Sequence, residues 1–204
     1  MKQATLYGVG DLRMEERALD TANLDADQLY VETEVTALST GTDLGNYLGD
    51  SAYVPDAPDY PRPVGYSNVG TVKRVGSAVK QINPGQRIFS RYPHQSAFIA
   101  RESEVLTPLP DGLSAEVATL AYLTHLGLAA LRQARYETGE NVAVVGLGVI
   151  GLATAGLARA MGAKVVGIAN SPIRCEAALR VGADEAFESV ASLPVVSRYC
   201  SAGW

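Results

Sequence analysis

Through residues 1–113 the chain alternates apolar and polar positions in short runs, such as Leu29-Tyr30-Val31-Glu32-Thr33-Glu34-Val35 and Val69-Gly70-Thr71-Val72-Lys73-Arg74-Val75. A period of two turns one side of each run inward, which predicts half-buried β-strands. Turn signals at Pro61-Arg62-Pro63, Asn83-Pro84-Gly85 and Pro110-Asp111-Gly112 divide them. Residues 1–113 therefore read as a small β-rich domain with a barrel-like arrangement. From Ser114 the period changes. Ser114-Ala115-Glu116-Val117 sets a capping hydroxyl before a helix that runs to about Gln133.

The remaining pattern, over 114–204, predicts an α/β unit. Val142 to Val145 is a β-branched, apolar run of the kind found in buried strands. It breaks into Gly146-Leu147-Gly148-Val149-Ile150-Gly151. An Ala- and Leu-rich helix over Leu152 to Met161 follows, Gly162 closes it, and Lys164-Val165-Val166-Gly167-Ile168 reads as a second, parallel strand. In this context each glycine has a physical task. Gly146 permits the tight turn, Gly148 lets a pyrophosphate approach bare backbone, and Gly151 brings helix and sheet close together. The helix start, at Val149 and Ile150, offers unpaired N–H groups and the positive end of its dipole to phosphate. Dinucleotide binding is the expectation; a plain glycine-rich turn is the alternative.

Composition narrows the field. A length of 204 residues suits one large domain or two small ones, and 47% hydrophobic with 19% charged residues is ordinary for a soluble globular protein. A net charge of −5 without a basic run argues against a nucleic-acid partner. No stretch is long enough to span a bilayer, and the first residues lack a signal-peptide core. Cys175 and Cys200 stand alone, without metal-ligand spacing. A cytoplasmic protein acting on a small molecule is the expectation.

A series of spaced motifs carries a family resemblance: Ser39-Thr40-Gly41-Thr42-Asp43, Pro63-Val64-Gly65-Tyr66-Ser67-Asn68-Val69-Gly70, Pro84-Gly85-Gln86-Arg87-Ile88, Pro108-Leu109-Pro110-Asp111-Gly112, the Gly146–Gly151 loop and Arg180-Val181-Gly182-Ala183-Asp184. In that order they resemble the medium-chain dehydrogenase/reductase superfamily, which includes the zinc alcohol dehydrogenases. The resemblance implies an α/β protein, with a chaperonin-10-like β-rich domain over 1–113 and a partial Rossmann doubly wound domain over 114–204. It departs from the zinc branch at the positions equated with ligands. There the chain has Thr40 for a cysteine, Tyr66 and Ser67 for the Gly-His-Glu motif, and Ala121 for a further ligand. The four-cysteine lobe is missing between Arg87 and Ala100. Zinc at neutral pH takes thiolate, imidazole or carboxylate. The expectation is therefore a zinc-independent branch with no metal, similar to bacteriochlorophyllide dehydrogenase and related bacterial sugar- or alcohol-dehydrogenase-like proteins, with the zinc-free quinone and enoyl reductases as more distant relatives.

Cofactor choice in such a domain falls to the end of the second strand, where an acid binds the ribose of NAD(H) and repels a 2′-phosphate. Here the strand runs into Ala169-Asn170-Ser171, with Arg174 a helical turn on and no acid. A guanidinium suits a phosphate, which favours NADP(H) over NAD(H). On the alternative reading, Ser171-Pro172 only caps a helix and Arg174 points to water. The resemblance places Thr124 near the nicotinamide, the proton-relay hydroxyl at Thr42, and the mouth of the site at Thr40, Tyr66 and His94. Tyr66 or His94 would then donate a proton to a substrate oxygen. The competing readings are a turn role for Thr40 and Thr42, a core role for Tyr66, and an exposed loop position for His94. His125 is expected to pack within its helix.

Against the resemblance the chain is short. Glu185-Ala186-Phe187 starts a third strand where the family sheet has six, and the stretch from Val190 to Trp204 matches no family motif. The second mononucleotide half and a return segment of the β domain are not in the sequence. Two functions follow. One is an NADP(H)-dependent alcohol or carbonyl oxidoreductase, incomplete as this chain. The other is a non-catalytic dinucleotide-binding or assembly module, with homo-oligomer formation through an exposed sheet edge. The substrate is not readable from the sequence.

Overall fold

The computed structural model describes residues 1–50 and 58–193. The chain divides into two compact units, Met1–Ala121 and Tyr122–Trp204.

In the first unit, alternation has the expected result. Strands β1 (Lys2–Gly8), β2 (Asp11–Glu16) and β4 (Arg62–Pro63) form one antiparallel sheet in the order β2-β1-β4. Strands β3 (Gln28–Thr36), β5 (Asn68–Val75), β6 (Arg87–Ser90), β7 (Ala97–Arg101) and β8 (Val105–Pro108) form a second, in the order β7-β3-β5-β6-β8. Leu29 and Val31 of β3 turn inward against Val72, Ile88 and Phe98, while Glu32 faces out. Tyr92 stacks on Phe98 at 4.2 Å between ring centroids and donates its hydroxyl to the Ile99 carbonyl and the Glu104 carboxylate. The segment from His94 to Ser96 runs beside β1 and ties the two sheets together. Ala4 N–H donates to the His94 carbonyl (2.9 Å), and Ser96 N–H donates to the Lys2 carbonyl (2.8 Å). Helix α1 (Thr42–Leu48) lies between β3 and β4 in sequence.

The helix expected from Ser114 to about Gln133 is two helices, α2 (Ala115–Ala118) and α3 (Ala121–Gln133). Ser114 caps the first as expected, accepting from Val117 N–H at 3.2 Å. A tertiary contact accompanies the break. The Thr119 carbonyl accepts from the buried Ser67 hydroxyl, and the Thr119 hydroxyl turns back to the Glu116 carbonyl. α2 accordingly packs on β3 and β5, and the division between units falls after it, later than the change of period at Ser114.

The second unit has a parallel sheet in the order β11-β10-β9, from β9 (Asn141–Val145), β10 (Lys164–Ile168) and β11 (Glu185–Phe187). Helix α4 (Val149–Ala160) joins β9 to β10, and α5 (Pro172–Arg180) joins β10 to β11. Their small buried faces, Ala155 and Ala158 on α4 and Ala178 on α5, pack with Val144, Leu147 and Val165. Gly127 brings α3 against α4: a Cβ there would lie 2.8 Å from Thr154 Oγ1. His125, expected to pack, is exposed instead. It sits on the outward side of α3, two positions before the buried Gly127. Cys175 is buried, and Cys200 lies outside the described residues. Among the described residues, no helix is long and apolar enough to cross a membrane.

Candidate functional site

The glycine turn joins β9 to α4, a strand-to-helix junction inside a parallel sheet. Gly146 takes φ +92°, a left-handed value that favours glycine, and its N–H donates to the Ile168 carbonyl at 2.8 Å. Leu147, fully buried, anchors the turn in the core. Gly148 is the helix N-cap, with extended backbone and no side chain. The first intrahelical bond is Leu152 N–H to the Gly148 carbonyl, which leaves the amides of Val149, Ile150 and Gly151 ahead of the ladder. A Cβ on Gly148 would meet nothing within 4 Å, whereas one on Gly151 would lie 1.9 Å from the Gly146 carbonyl oxygen. The turn therefore presents open backbone on one side and is tightly packed on the other. That arrangement fits an anionic diester at the start of a helix.

At the end of β10, Ala169 is buried and its N–H donates to the Phe187 carbonyl. Asn170 is exposed. Ser171 is the N-cap of α5, but its hydroxyl makes no capping bond. Arg174 is exposed on the first turn of α5 and makes no ion pair among the described residues. Thr124 is half-buried on α3.

The first unit contains a cavity of about 570 Å³. Its lining includes two of the four expected catalytic positions, Thr40 and His94. The other two stand outside that lining: Thr42 opens α1, donating its N–H to Ser39 Oγ at 3.2 Å, and Tyr66 is half-buried beyond Gly65. His94 is no exposed loop residue. Only 7% of it is accessible, its N–H donates to the Val64 carbonyl, and its ring has partners on both nitrogens. Nδ1 lies 2.5 Å from Thr36 Oγ1 and Nε2 lies 3.3 Å from Asp43 Oδ2. Asp43 Oδ2 also accepts from Ser39 N–H at 2.7 Å. Gly65, at φ +101°, passes so close to the ring that a Cβ would lie 2.6 Å from His94 Cδ2. Thr36 and Asp43 were not singled out from the sequence. Asp43 ends the Ser39–Asp43 motif, whereas nothing local marks Thr36.

No family model matches the chain. The curated relatives it matches include (R,R)-butanediol dehydrogenase of Bacillus subtilis, 26% identical over 90% of this chain and 62% of the relative. Quinone oxidoreductase 1 of Escherichia coli is 28% identical over 78% of this chain and 50% of the relative. Among solved structures, galactitol-1-phosphate dehydrogenase from Escherichia coli superposes with a TM-score of 0.80 at 22% identity, over 93% of this chain and 61% of that one. Escherichia coli quinone oxidoreductase, solved with NADPH, gives 0.76 at 22% identity, over 97% and 61%. The fold is that of the medium-chain dehydrogenases/reductases. The curated relatives support a place in that superfamily, and the chain spans about half to three-fifths of their length.

The positions that the resemblance equates with zinc ligands hold no cysteine, histidine or carboxylate. Thr40 is exposed at the cavity, Tyr66 carries a phenol, Ser67 spends its hydroxyl on the Thr119 carbonyl, and Ala121 offers no donor. Among the described residues, no group of three His, Cys, Asp or Glu side chains is placed to hold a metal. The donor set at these positions does not fit zinc.

Proposed function

We propose that the chain is the dinucleotide-holding and proton-handling part of a zinc-independent oxidoreductase that uses NADP(H) on an alcohol or carbonyl substrate. The observation that carries this reading is the Gly146–Gly151 turn, with its open face at Gly148 and its free amides at the head of α4. Gly146, Gly148, Val149, Ile150 and Gly151 would hold the pyrophosphate. Asn170, Ser171 and Arg174 would take the adenosine ribose and its 2′-phosphate, with Ala169 leaving room and Thr124 toward the nicotinamide. A bound nicotinamide supplies or accepts the hydride. The chain's own residues handle the oxygen's proton. Without a metal ligand set, a carbonyl oxygen is polarised by hydrogen-bond donors. Thr40, Thr42, Tyr66 and His94 are the candidates, and His94 is held at both ring nitrogens.

Calorimetry with NADPH, NADH and 2′,5′-ADP tests this reading. It expects NADPH to bind at least tenfold more tightly than NADH, 2′,5′-ADP to compete, and Arg174→Glu to remove the preference. Equal affinities, unchanged by that substitution, would contradict the NADP(H) assignment. Steady-state assays with alcohols, aldehydes and enones should give the same rates with and without chelator; activity lost to chelator would contradict the metal-free chemistry.

A second reading, a non-catalytic dinucleotide-binding or assembly module, rests on the sheet of the second unit. β9 pairs only with β10 among the described residues, and Val145 at its end is 72% exposed. An apolar strand edge of this kind invites pairing with another chain.

A further inference from the structure

Asparagine is a thermolabile side chain. It loses its amide when the backbone nitrogen of the next residue attacks Cγ, which requires a free side chain and a free N–H after it. The chain has six asparagines, and five of them are protected. Asn23 is tied by its amide to Asp20, and Asn46 lies inside α1 with its oxygen accepting from Arg62. Asn68 is fully buried in β5, and Asn83 precedes Pro84, which has no N–H. Asn141 opens β9, in register with Lys164, and is followed by the β-branched Val142. Asn170 differs from all of these. It is exposed in the turn between β10 and α5, and its side chain makes no hydrogen bond among the described residues.

The residue after it is held ready. Pro172 is the first residue of α5, and its ring keeps the preceding residue out of the helical region. Ser171 accordingly has extended backbone, φ −153° and ψ 121°. Its carbonyl starts the helix, accepting from Arg174 and Cys175 N–H, both at 3.1 Å. Its own N–H stays outside that ladder and, among the described residues, donates to no group. The turn leaves a strand with neighbours on both sides, β9 and β11, and every group named here lies in it or in the first turn of α5.

The chemistry balances without an enzyme. Ser171 N gives up its proton to solvent and bonds to Asn170 Cγ. The Cγ–Nδ2 bond breaks, and the amide nitrogen leaves as ammonia with a proton taken from solvent, closing a succinimide. Water then adds to one of the two ring carbonyls. Opening at Cγ restores the backbone with an aspartate at position 170; opening at the backbone carbonyl gives isoaspartate. Nothing is oxidised or reduced, and water is the co-reactant. Either product carries a carboxylate ahead of α5, where the positive helix end favours it. That carboxylate stands at the end of β10, where an acid accepts from a ribose 2′-hydroxyl and repels a 2′-phosphate. The uncharged amide of Asn170 can donate to a phosphate, whereas a carboxylate only accepts.

We propose that Asn170 is a modification site, a deamidation switch that removes the chain's preference for NADP(H) as the molecule ages. The proposal rests on the NADP(H) reading and adds to it a change with time.

The test uses the whole chain, aged at mildly alkaline pH and mapped at intervals by peptide mass spectrometry. Asn170 should convert roughly tenfold faster than any other asparagine, with ammonia released in step. Calorimetry on fresh Asn170→Asp should give a ratio of NADPH to NADH affinity about tenfold below the parent's, and aged parent should drift toward it. An Asn170→Gln chain, whatever ratio it begins with, should keep that ratio on ageing. Asn170 converting no faster than Asn23 or Asn141 overturns the modification site. An Asn170→Asp chain with the parent's ratio overturns the switch. The two readings fail separately. Fresh parent that binds NADPH and NADH alike removes the NADP(H) reading and the switch with it, while the peptide map still decides the modification site.

Discussion

Two glycines only three positions apart should respond to the same substitution in opposite ways. At Gly148, φ −79° and ψ −169° are open to any residue, and an added methyl meets nothing within 4 Å. Gly148→Ala removes backbone freedom from the unfolded chain, worth about 0.4–1 kcal/mol. It also replaces a better N-cap residue with a poorer one, a cost of similar size. The net change in stability is about zero. The new methyl, however, stands where the diester must approach, so NADPH affinity should fall at least tenfold, about 1.4 kcal/mol. At Gly151 the methyl would lie 1.9 Å from the Gly146 carbonyl oxygen and 3.0 Å from its carbonyl carbon. Ordinary contacts are about 3.5 Å, so turn and helix must separate by roughly 1.5 Å. Overpacking of this kind costs about 1–3 kcal/mol, which in a unit of this size is a melting-temperature drop of roughly 5 °C or more. Thermal unfolding by circular dichroism, paired with calorimetry on each variant, reads both effects. A Gly148→Ala chain that melts and binds NADPH like the parent would refute the placement of the pyrophosphate. A Gly151→Ala chain of parental stability would refute the packing argument.

Other outcomes follow from the same structure. Gly65→Ala forces a side chain into a left-handed backbone position and against the His94 ring and its backbone nitrogen, 2.6 and 2.7 Å away. It should lower stability by more than about 1 kcal/mol and displace the His94 ring signals in NMR; an unchanged spectrum would count against the close packing. Glu15 sits among the Thr5 hydroxyl, the Tyr7 hydroxyl and Arg17, which hold its carboxyl down at about 2. Its contribution to stability is complete above pH 4.5 and fades as the pH falls from there toward 2, so melting curves of the parent and Glu15→Gln should converge across that window. Ser114→Ala removes the α2 cap and should cost about 1 kcal/mol in chemical denaturation. If the β9 edge pairs with a second copy, light scattering should show a dimer that a Val145→Lys substitution dissolves; a monomer at all concentrations would argue against edge pairing.

What was legible in the sequence was what neighbouring residues decide. The strands at Leu29–Val35 and Val69–Val75 declared themselves by alternation, and β9, the glycine turn, α4 and β10 by a run of local signals within a few tens of residues. Ser114 announced its cap. The break after Ala118 was not legible, because it depends on the Ser67 hydroxyl reaching the Thr119 carbonyl from 52 residues away. The same holds for His94. From its neighbours Arg91, Tyr92 and Pro93 it reads as a loop residue, yet β1, Val64 and Gly65 enclose it. Its partners Thr36 and Asp43 lie 58 and 51 positions earlier in the chain. Thr36 reads as the last polar position of a strand, and only tertiary packing turns it toward a cavity. His125 erred the other way: an apolar helix suggested burial, but its own angular position on α3 faces outward.

On the proposed function, the head of α4 grips a dinucleotide phosphate through bare backbone. Titrating ¹⁵N-labelled protein with 2′,5′-ADP and then NADPH, and following the backbone amides, tests it most directly. NADPH, which carries the pyrophosphate, should move the Gly148, Val149, Ile150 and Gly151 resonances most. Both ligands should move Asn170, Ser171 and the Arg174 side chain. Saturating NADPH that leaves the Gly148–Gly151 amides in place would contradict the claim.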